Sequence, residues 1–362
     1  MNVAGRLDAV RRRMADEGIP ALVVSTVANL RYLTAFDGVI DDGINGACLI
    51  TPDVTRFYTD MRYAEAAVAA AQGGPWEVGI QRENLYIEIC EELHELAVDS
   101  LAVESSVPYG RFKFISEQFR GAVRVTDALV ETFRQVKEPT EIERIEAAAT
   151  IADRAFDHML EFIRPGVTEA EIALELEFTM RRNGSDGMPF DPIVASGPNG
   201  AHPHAIPGPR AIQAGDLIVL DFGARVGGYC SDMTRTVCVG PASDEQRRLY
   251  DAVLASNEAG LAQVRAGRPC VDVDRAGRDV LGERGLGDVF THGIGHGVGL
   301  DIHELPTLGP RSTHSLRDHA VVTVEPGVYV EGFAGVRIED LVVVEGDGYR
   351  RLTNAPKELI QI

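Results

Sequence analysis

The chain has 362 residues, which at roughly 150 per domain predicts about two domains and leaves ample length for a core. Hydrophobic residues make up 45% and charged residues 25%, a globular balance that excludes a disordered chain. Lys and Arg number 35 against 55 Asp and Glu, a net charge of −20, and this acidity argues against nucleic acid as a partner, because phosphate recognition needs a basic patch.

The opening stretch MNVAGRLDAVRRRMADEG is charged every few residues and has no apolar signal core. No run reaches the roughly 18 apolar residues of a membrane helix, so no membrane association is expected. The five cysteines are odd in number and form no CxxC pair, which predicts reduced thiols and a cytoplasmic location. Leu7, Val10 and Met14 stand at helical spacing before Gly18 and Pro20, and ALVVS then reads as a short buried strand. Apolar runs at Ala47–Ile50, Arg56–Thr59 and Leu101–Val103 follow, with a helix over Arg62–Ala71 between them. Residues 1–134 therefore read as a small α/β domain.

Lys137-Glu138-Pro139 marks the boundary, and residues 137–362 read as a second domain. Thr140 and Glu143 have capping-box spacing, and Ile142, Ile145, Ala149, Ala152, Phe156, Met159 and Ile163 form one face of a long amphipathic helix. Arg164-Pro165-Gly166 ends it, and a second capping box, Thr168 with Glu171, opens a helix running to about Asn183. The pattern then returns. Tyr250–Val264 is helical, Arg265-Ala266-Gly267 breaks it, and Asp272–Glu283 is helical again. DLIVLDFG, with Asp221, matches VVTVEPG, with Glu325; SDMTRTVCVG, with Asp232, matches VRIEDLVVVEG, with Glu339. The second domain is read as two copies of a helix-helix-hairpin unit about a pseudo-twofold axis.

Asp221, Asp232, Glu325 and Glu339 thus sit at or within the most apolar strands of the chain. An isolated buried carboxylate costs several kcal/mol or goes neutral, so such groups have a cation partner. Arg235 and Arg337 could each serve one of them, but four carboxylates at matched positions fit divalent metal ions better. The histidines cluster at His202 and His204 in SGPNGAHPHAIPG and at His292, His296 and His303 in THGIGHGVGLDIHE. Four glycines around His296 remove side-chain bulk, allowing backbone and imidazole to approach a shared centre. Imidazole beside carboxylates suits Mn, Fe, Co or Zn.

The ordered set Asp221, Asp232, GHG with His296, VEPG with Glu325 and RIED with Glu339 resembles the pita-bread metallopeptidases, the family of methionine aminopeptidase, aminopeptidase P and prolidase. The N-terminal half resembles the creatinase-type domain that precedes the catalytic domain in aminopeptidase P and prolidase. The resemblance implies an α/β N-terminal domain followed by an α+β pita-bread catalytic domain with its internal repeat. It implies two divalent metal ions, Mn foremost with Co or Zn as alternatives: Asp221, Asp232 and Glu339 hold one, and Asp232, His296, Glu325 and Glu339 the other. A water shared by two such ions is acidified toward hydroxide, with Glu325 as general base. His204 and His303 would bind the substrate carbonyl and stabilise the tetrahedral intermediate. Arg337 would orient ligand carboxylates, and His292 either contacts substrate or packs.

A pocket that fits a proline ring and offers no acceptor for the missing imide N–H would select Xaa-Pro bonds. Arg311, in LGPRSTHSLR, would meet the substrate carboxyl end and favour dipeptides, whereas His202 is assigned no role. The expected function is hydrolysis of Xaa-Pro bonds in short proline-containing peptides, as a dipeptidase or an aminopeptidase. A creatinase-like small-amide hydrolase or lyase stands second, and methionine aminopeptidase, which lacks the N-terminal domain, third. The resemblance also implies a homodimer, with Arg31–Asp42, including Tyr32 and Phe36, as the expected rim.

Overall fold

The structure, a computed structural model, describes residues 1–362 and divides into two compact units, Met1–Arg134 and Gln135–Ile362. In the first unit, a helix over Val3–Asp16 is capped by Asn2, whose side chain accepts from the Gly5 amide at 3.0 Å. Its buried face, Leu7, Val10 and Met14, follows the helical period. A six-stranded mixed sheet is ordered Glu77–Ile80, Thr55–Thr59, Gly46–Ile50, Leu22–Val24, Ser100–Glu104, Ala122–Thr126. Leu22–Val24 is fully buried, as a central strand covered on both faces must be. Tyr32 and Phe36, expected at a subunit rim, are only 5% exposed; Phe36 meets Phe57 edge to face. Their apolar rings belong to this unit's own core.

In the second unit, a helix over Pro139–Phe162 opens with Glu141 reaching back to the Glu138 amide at 2.8 Å. The capping box is therefore two residues earlier than the Thr140–Glu143 spacing predicts, because Pro139 is pre-set for the first helical turn. The Thr168–Glu171 box opens the next helix, Glu169–Arg182, as expected. A third helix, Asp244–Leu261, begins six residues before the predicted start because Ser243 and Gln246 form a capping box there; Cys270–Glu283 completes the second pair.

The two halves carry strands in matching order. In the first, Ile193–Ser196, Leu217–Phe222 and Met233–Cys238 form an antiparallel sheet, with the small hairpin Arg225–Val226/Tyr229–Cys230 between the last two. In the second, Gly295–Gly297, Val321–Val324 and Asp340–Glu345 are neighbours in a five-stranded sheet, with the hairpin Gly327–Val330/Ala334–Arg337 between the last two. Each helix pair has its own apolar core. Phe156, Met159, Leu176 and Met180 lie over the first sheet, and Leu249, Val253, Val273 and Leu281 over the second. Each such side chain, fully buried, contributes about 1.5–3 kcal/mol. The sheets join where Glu339 N donates to the Thr234 carbonyl (3.1 Å) and Thr236 Oγ1 to that of Arg337 (2.9 Å). This junction brings the carboxylates of both repeats together.

Candidate metal centre

Asp221 lies near the end of the strand Leu217–Phe222, in register with Thr234, and Asp232 immediately precedes Met233–Cys238. The second half repeats this arrangement: Glu325 directly follows Val321–Val324, and Glu339 directly precedes Asp340–Glu345. His296 is the middle residue of the short strand Gly295–Gly297, which pairs with Glu304–Leu308 on one side and Val321–Val324 on the other. A Cβ at Gly295 would stand 2.1 Å from the Thr323 carbonyl oxygen, and one at Gly297 2.3 Å from that of Leu305. These glycines thus serve the approach of neighbouring backbones, and only through it the placement of the imidazole.

The five side chains line one cavity of about 1000 Å³. His296 Nε2 is 3.2 Å from Glu325 Oε1 and 3.6 Å from Asp232 Oδ2. One ligand atom each of Asp232, His296 and Glu339 lies within 4.8 Å of the other two. His296 Nδ1 donates to the Gly297 carbonyl at 3.1 Å, which leaves Nε2 to face the carboxylates. Thr323 Oγ1 accepts from His296 N (3.0 Å) and donates to Glu325 Oε1 (3.2 Å), tying two of the five together.

Burial, followed by the charges of neighbouring carboxylates, drives Asp232 and Glu339 well above the usual carboxylate range. Asp221 is also raised by burial, although Arg337 opposes the shift. Glu325 behaves oppositely: burial would raise it, but the hydrogen bond and charge of His296 hold it down to about 2. Burial opposes protonation of His296 as well, but is outweighed by Glu325, and the imidazole is raised. A cation-free site therefore places a proton between His296 and Glu325. Asp232 and Glu339 are driven toward their neutral forms instead, and buried Asp221 Oδ1, Asp232 Oδ1 and Glu339 Oε1 have no hydrogen-bond partner. Convergent orphaned oxygens beside an imidazole nitrogen are the donor set of a divalent transition ion, and the residues fit such ions.

Only one arginine reaches the cluster. Arg337 Nη2 donates to Asp221 Oδ2, Nε to Thr234 Oγ1 (3.1 Å), and Nη1 to Tyr329 Oη (2.8 Å). Thr234 Oγ1 in turn donates to Glu339 Oε2 at 2.7 Å. Arg235, the other arginine considered as a carboxylate partner, turns away from the cavity and pairs with Asp340 at 2.9 Å.

The expected substrate residues are placed as follows. His204, His292, His303 and Arg311 all line the cavity, whereas exposed His202 does not. The His303 ring is 4.3 Å from that of His296, and its pKa is lowered by burial and by that neighbour's charge. His292 is already engaged: Nδ1 donates to the Gly293 carbonyl (2.8 Å), and Nε2 accepts from Tyr329 Oη (2.9 Å). Thr234 and Tyr329 were not singled out in the sequence. Both lie at fixed offsets from the acidic residues, Thr234 two after Asp232 and Tyr329 four after Glu325, and this spacing was the only available signal.

Residues 143–346 match the model of metallopeptidase family M24, and residues 6–136 that of the creatinase/prolidase N-terminal domain. The chain belongs to metallopeptidase family M24. It is 36% identical over 357 residues to a Xaa-Pro dipeptidase of Pyrococcus horikoshii, covering 96% of each chain. Among solved structures, a Xaa-Pro dipeptidase from Bacillus anthracis superimposes with a TM-score of 0.95 at 38% identity over 100% of both chains. An X-Pro aminopeptidase from Thermotoga maritima gives 0.85 at 35% identity, covering 95% of this chain and 98% of the other. As an M24 enzyme the chain is a metallopeptidase and works with divalent metal ions. The pita-bread architecture that the family resemblance implied is the fold observed.

Proposed function

We propose that the chain hydrolyses Xaa-Pro bonds in dipeptides or short peptides. In this reading Asp221, Asp232 and Glu339 hold one divalent ion, and Asp232, His296, Glu325 and Glu339 the second. The observation that carries it is the convergence of three orphaned carboxylate oxygens with the Nε2 nitrogen of His296 in one cavity. Two ions held there would supply Lewis acidity and lower the pKa of water toward neutrality. Glu325, held ionised by His296, would serve as general base for the attacking water. His204 and His303 donate to the carbonyl oxygen of the scissile bond, while His292, held between Gly293 and Tyr329, shapes the wall. Arg311, on the cavity rim, receives the carboxyl end of a dipeptide. Mn is the proposed ion, with Co and Zn as alternatives, because a carboxylate-rich donor set with one imidazole admits all three.

The further reading is of a cytoplasmic homodimer. Five free, buried cysteines support the location, and the homodimer rests on the family resemblance.

The test compares Ala-Pro, Ala-Pro-Pro and Met-Ala-Ser as substrates after Mn reconstitution, with metal analysis of the same sample. Cleavage of Ala-Pro alone supports a dipeptidase, and cleavage of Ala-Pro-Pro an aminopeptidase. If none is cleaved by protein loaded with two ions, the peptide reading fails in favour of a small-amide hydrolase.

A further inference from the structure

Asn257, on the helix Asp244–Leu261, is completely buried and makes no contact with the cavity described above. Its Nδ2 donates to the Val324 carbonyl at 2.8 Å and reaches the Ile338 carbonyl at 3.4 Å. These are the peptide groups immediately before Glu325 and Glu339. One amide therefore bridges the backbone segments that carry both glutamates of the second repeat.

The amide is oriented from behind. Lys357 Nζ donates to Asn257 Oδ1 at 2.9 Å, so the oxygen must face the ammonium and the NH₂ must face the two carbonyls. The same ammonium is 2.9 Å from Asp340 Oδ2, and Arg235 Nη2 donates to Asp340 Oδ1 at 2.9 Å. Arg235 Nη1 also donates to the Glu339 carbonyl.

One backbone bond accompanies this bridge, the Ile338 amide donating to the Pro326 carbonyl at 3.4 Å. The antiparallel ladder between Val321–Val324 and Asp340–Glu345 ends at the pair Val324 and Asp340, so the glutamates lie just beyond its last rung. Their own amides diverge, Glu325 N to the Ile294 carbonyl (2.7 Å) and Glu339 N to that of Thr234 (3.1 Å). Without Asn257, the two segments would be tied beside the glutamates only by that long backbone bond, between the last rung Val324/Asp340 and the hairpin pair Gly327/Arg337.

We propose that Asn257 is a positioning residue that sets the spacing of Glu325 and Glu339, with Lys357 orienting its amide, and so tunes the affinity of the metal centre. The inference rests on the proposed ligand assignment. Of the two proposed ions, the one beside His296 takes both glutamates and the other only Glu339, so loss of the bridge falls more heavily on the first. A merely structural amide would lower stability without changing metal affinity.

The experiment titrates Mn into chelator-stripped full-length protein by calorimetry, alongside the melting temperature of each metal-free variant. Wild type is expected to bind two ions. Asn257→Ala, and the isosteric Asn257→Asp, which replaces the donor by an acceptor, should each weaken the tighter-affected ion about 10- to 100-fold, the range for groups that orient metal ligands. Lys357→Met should shift affinity in the same direction by less. Folded Asn257 variants that titrate like wild type overturn the proposal. Should both fail to fold, Lys357→Met decides alone, with unchanged affinity as the overturning result. Wild type that binds no Mn would remove the ligand assignment itself, and the inference with it, whereas two-ion binding by wild type with unaffected variants removes the inference alone.

Discussion

The Arg337 guanidinium donates to Oδ2 of Asp221, while Oδ1 of the same carboxylate is buried without a hydrogen-bond partner. One oxygen is thus held by the protein and the other left toward the cluster, the division expected of a carboxylate that must bind a cation in a fixed orientation. Arg337→Met strips Asp221 of its hydrogen-bonded counter-charge. The metal-free variant should lose about 3–5 kcal/mol in denaturant unfolding, the cost of one unpaired buried charge. Its metal affinity should fall about 10- to 100-fold, read by titration. Wild-type values for both would remove Arg337 from the ligand scaffold.

The pH dependence of stability should be present in metal-free protein and absent from metal-loaded protein. Asp232 and Glu339 are raised in the folded state by burial and then by neighbouring carboxylates, whereas the unfolded chain titrates near about 4. Raised groups bind their protons more tightly when folded. Their stabilisation is therefore complete below the unfolded value and is lost as pH rises through the folded values. Glu325, held at about 2 against the pull of burial by His296, contributes in the opposite sense, and that contribution is lost only as pH falls below about 4. In chelator, the melting temperature should decline from pH 5 to pH 8, and less steeply in Glu339→Gln. Saturating Mn should abolish the decline, since the cation then takes the place of the protons. A flat chelator profile would contradict the account of Asp232 and Glu339.

Glu325 alone of the four carboxylates is lowered and so stands ionised at neutral pH, and it is the residue proposed as general base. Glu325→Gln keeps the shape and removes the base. A fall in kcat of about 10²- to 10⁴-fold, with an unchanged circular dichroism spectrum, is expected. Turnover within about threefold of wild type would rule out the general-base role.

Tyr329 links two residues that do not touch, accepting from Arg337 Nη1 at 2.8 Å and donating to His292 Nε2 at 2.9 Å. Tyr329→Phe removes one hydrogen bond on each side, and a net bond is worth about 0.5–1.5 kcal/mol. Steady-state kinetics on Ala-Pro should show kcat/KM reduced about 3- to 10-fold, with little change in melting temperature. An unaltered kcat/KM would reduce His292 to a packing residue.

Much of the candidate site was legible because its signals are local. Asp221 and Glu325 end apolar strands and Asp232 and Glu339 begin them, so each acid stands out against a run of buried neighbours. The glycines flanking His296 were equally visible, though their purpose was not. That they make way for the Thr323 and Leu305 carbonyls depends on strands paired from elsewhere in the chain. The helix start capped by Thr168 was readable, whereas the one capped by Ser243 was placed six residues late and the one at Pro139 was misplaced because Glu138 took over the capping.

Residue types, their order and the repeat were determined by the sequence alone, because apolar periodicity and capping act within a few residues of the chain. Partnerships were decided only by the tertiary structure. Arg337 serves Asp221 while Arg235 serves Asp340, although both arginines stand near strand carboxylates in the sequence. Tyr32 and Phe36 face inward although they sit beside acidic residues. The physical reason is the same in each case: a strand's register and the packing of elements about a hundred residues apart set which charged groups share a buried volume, and a charge at that depth is defined by what faces it.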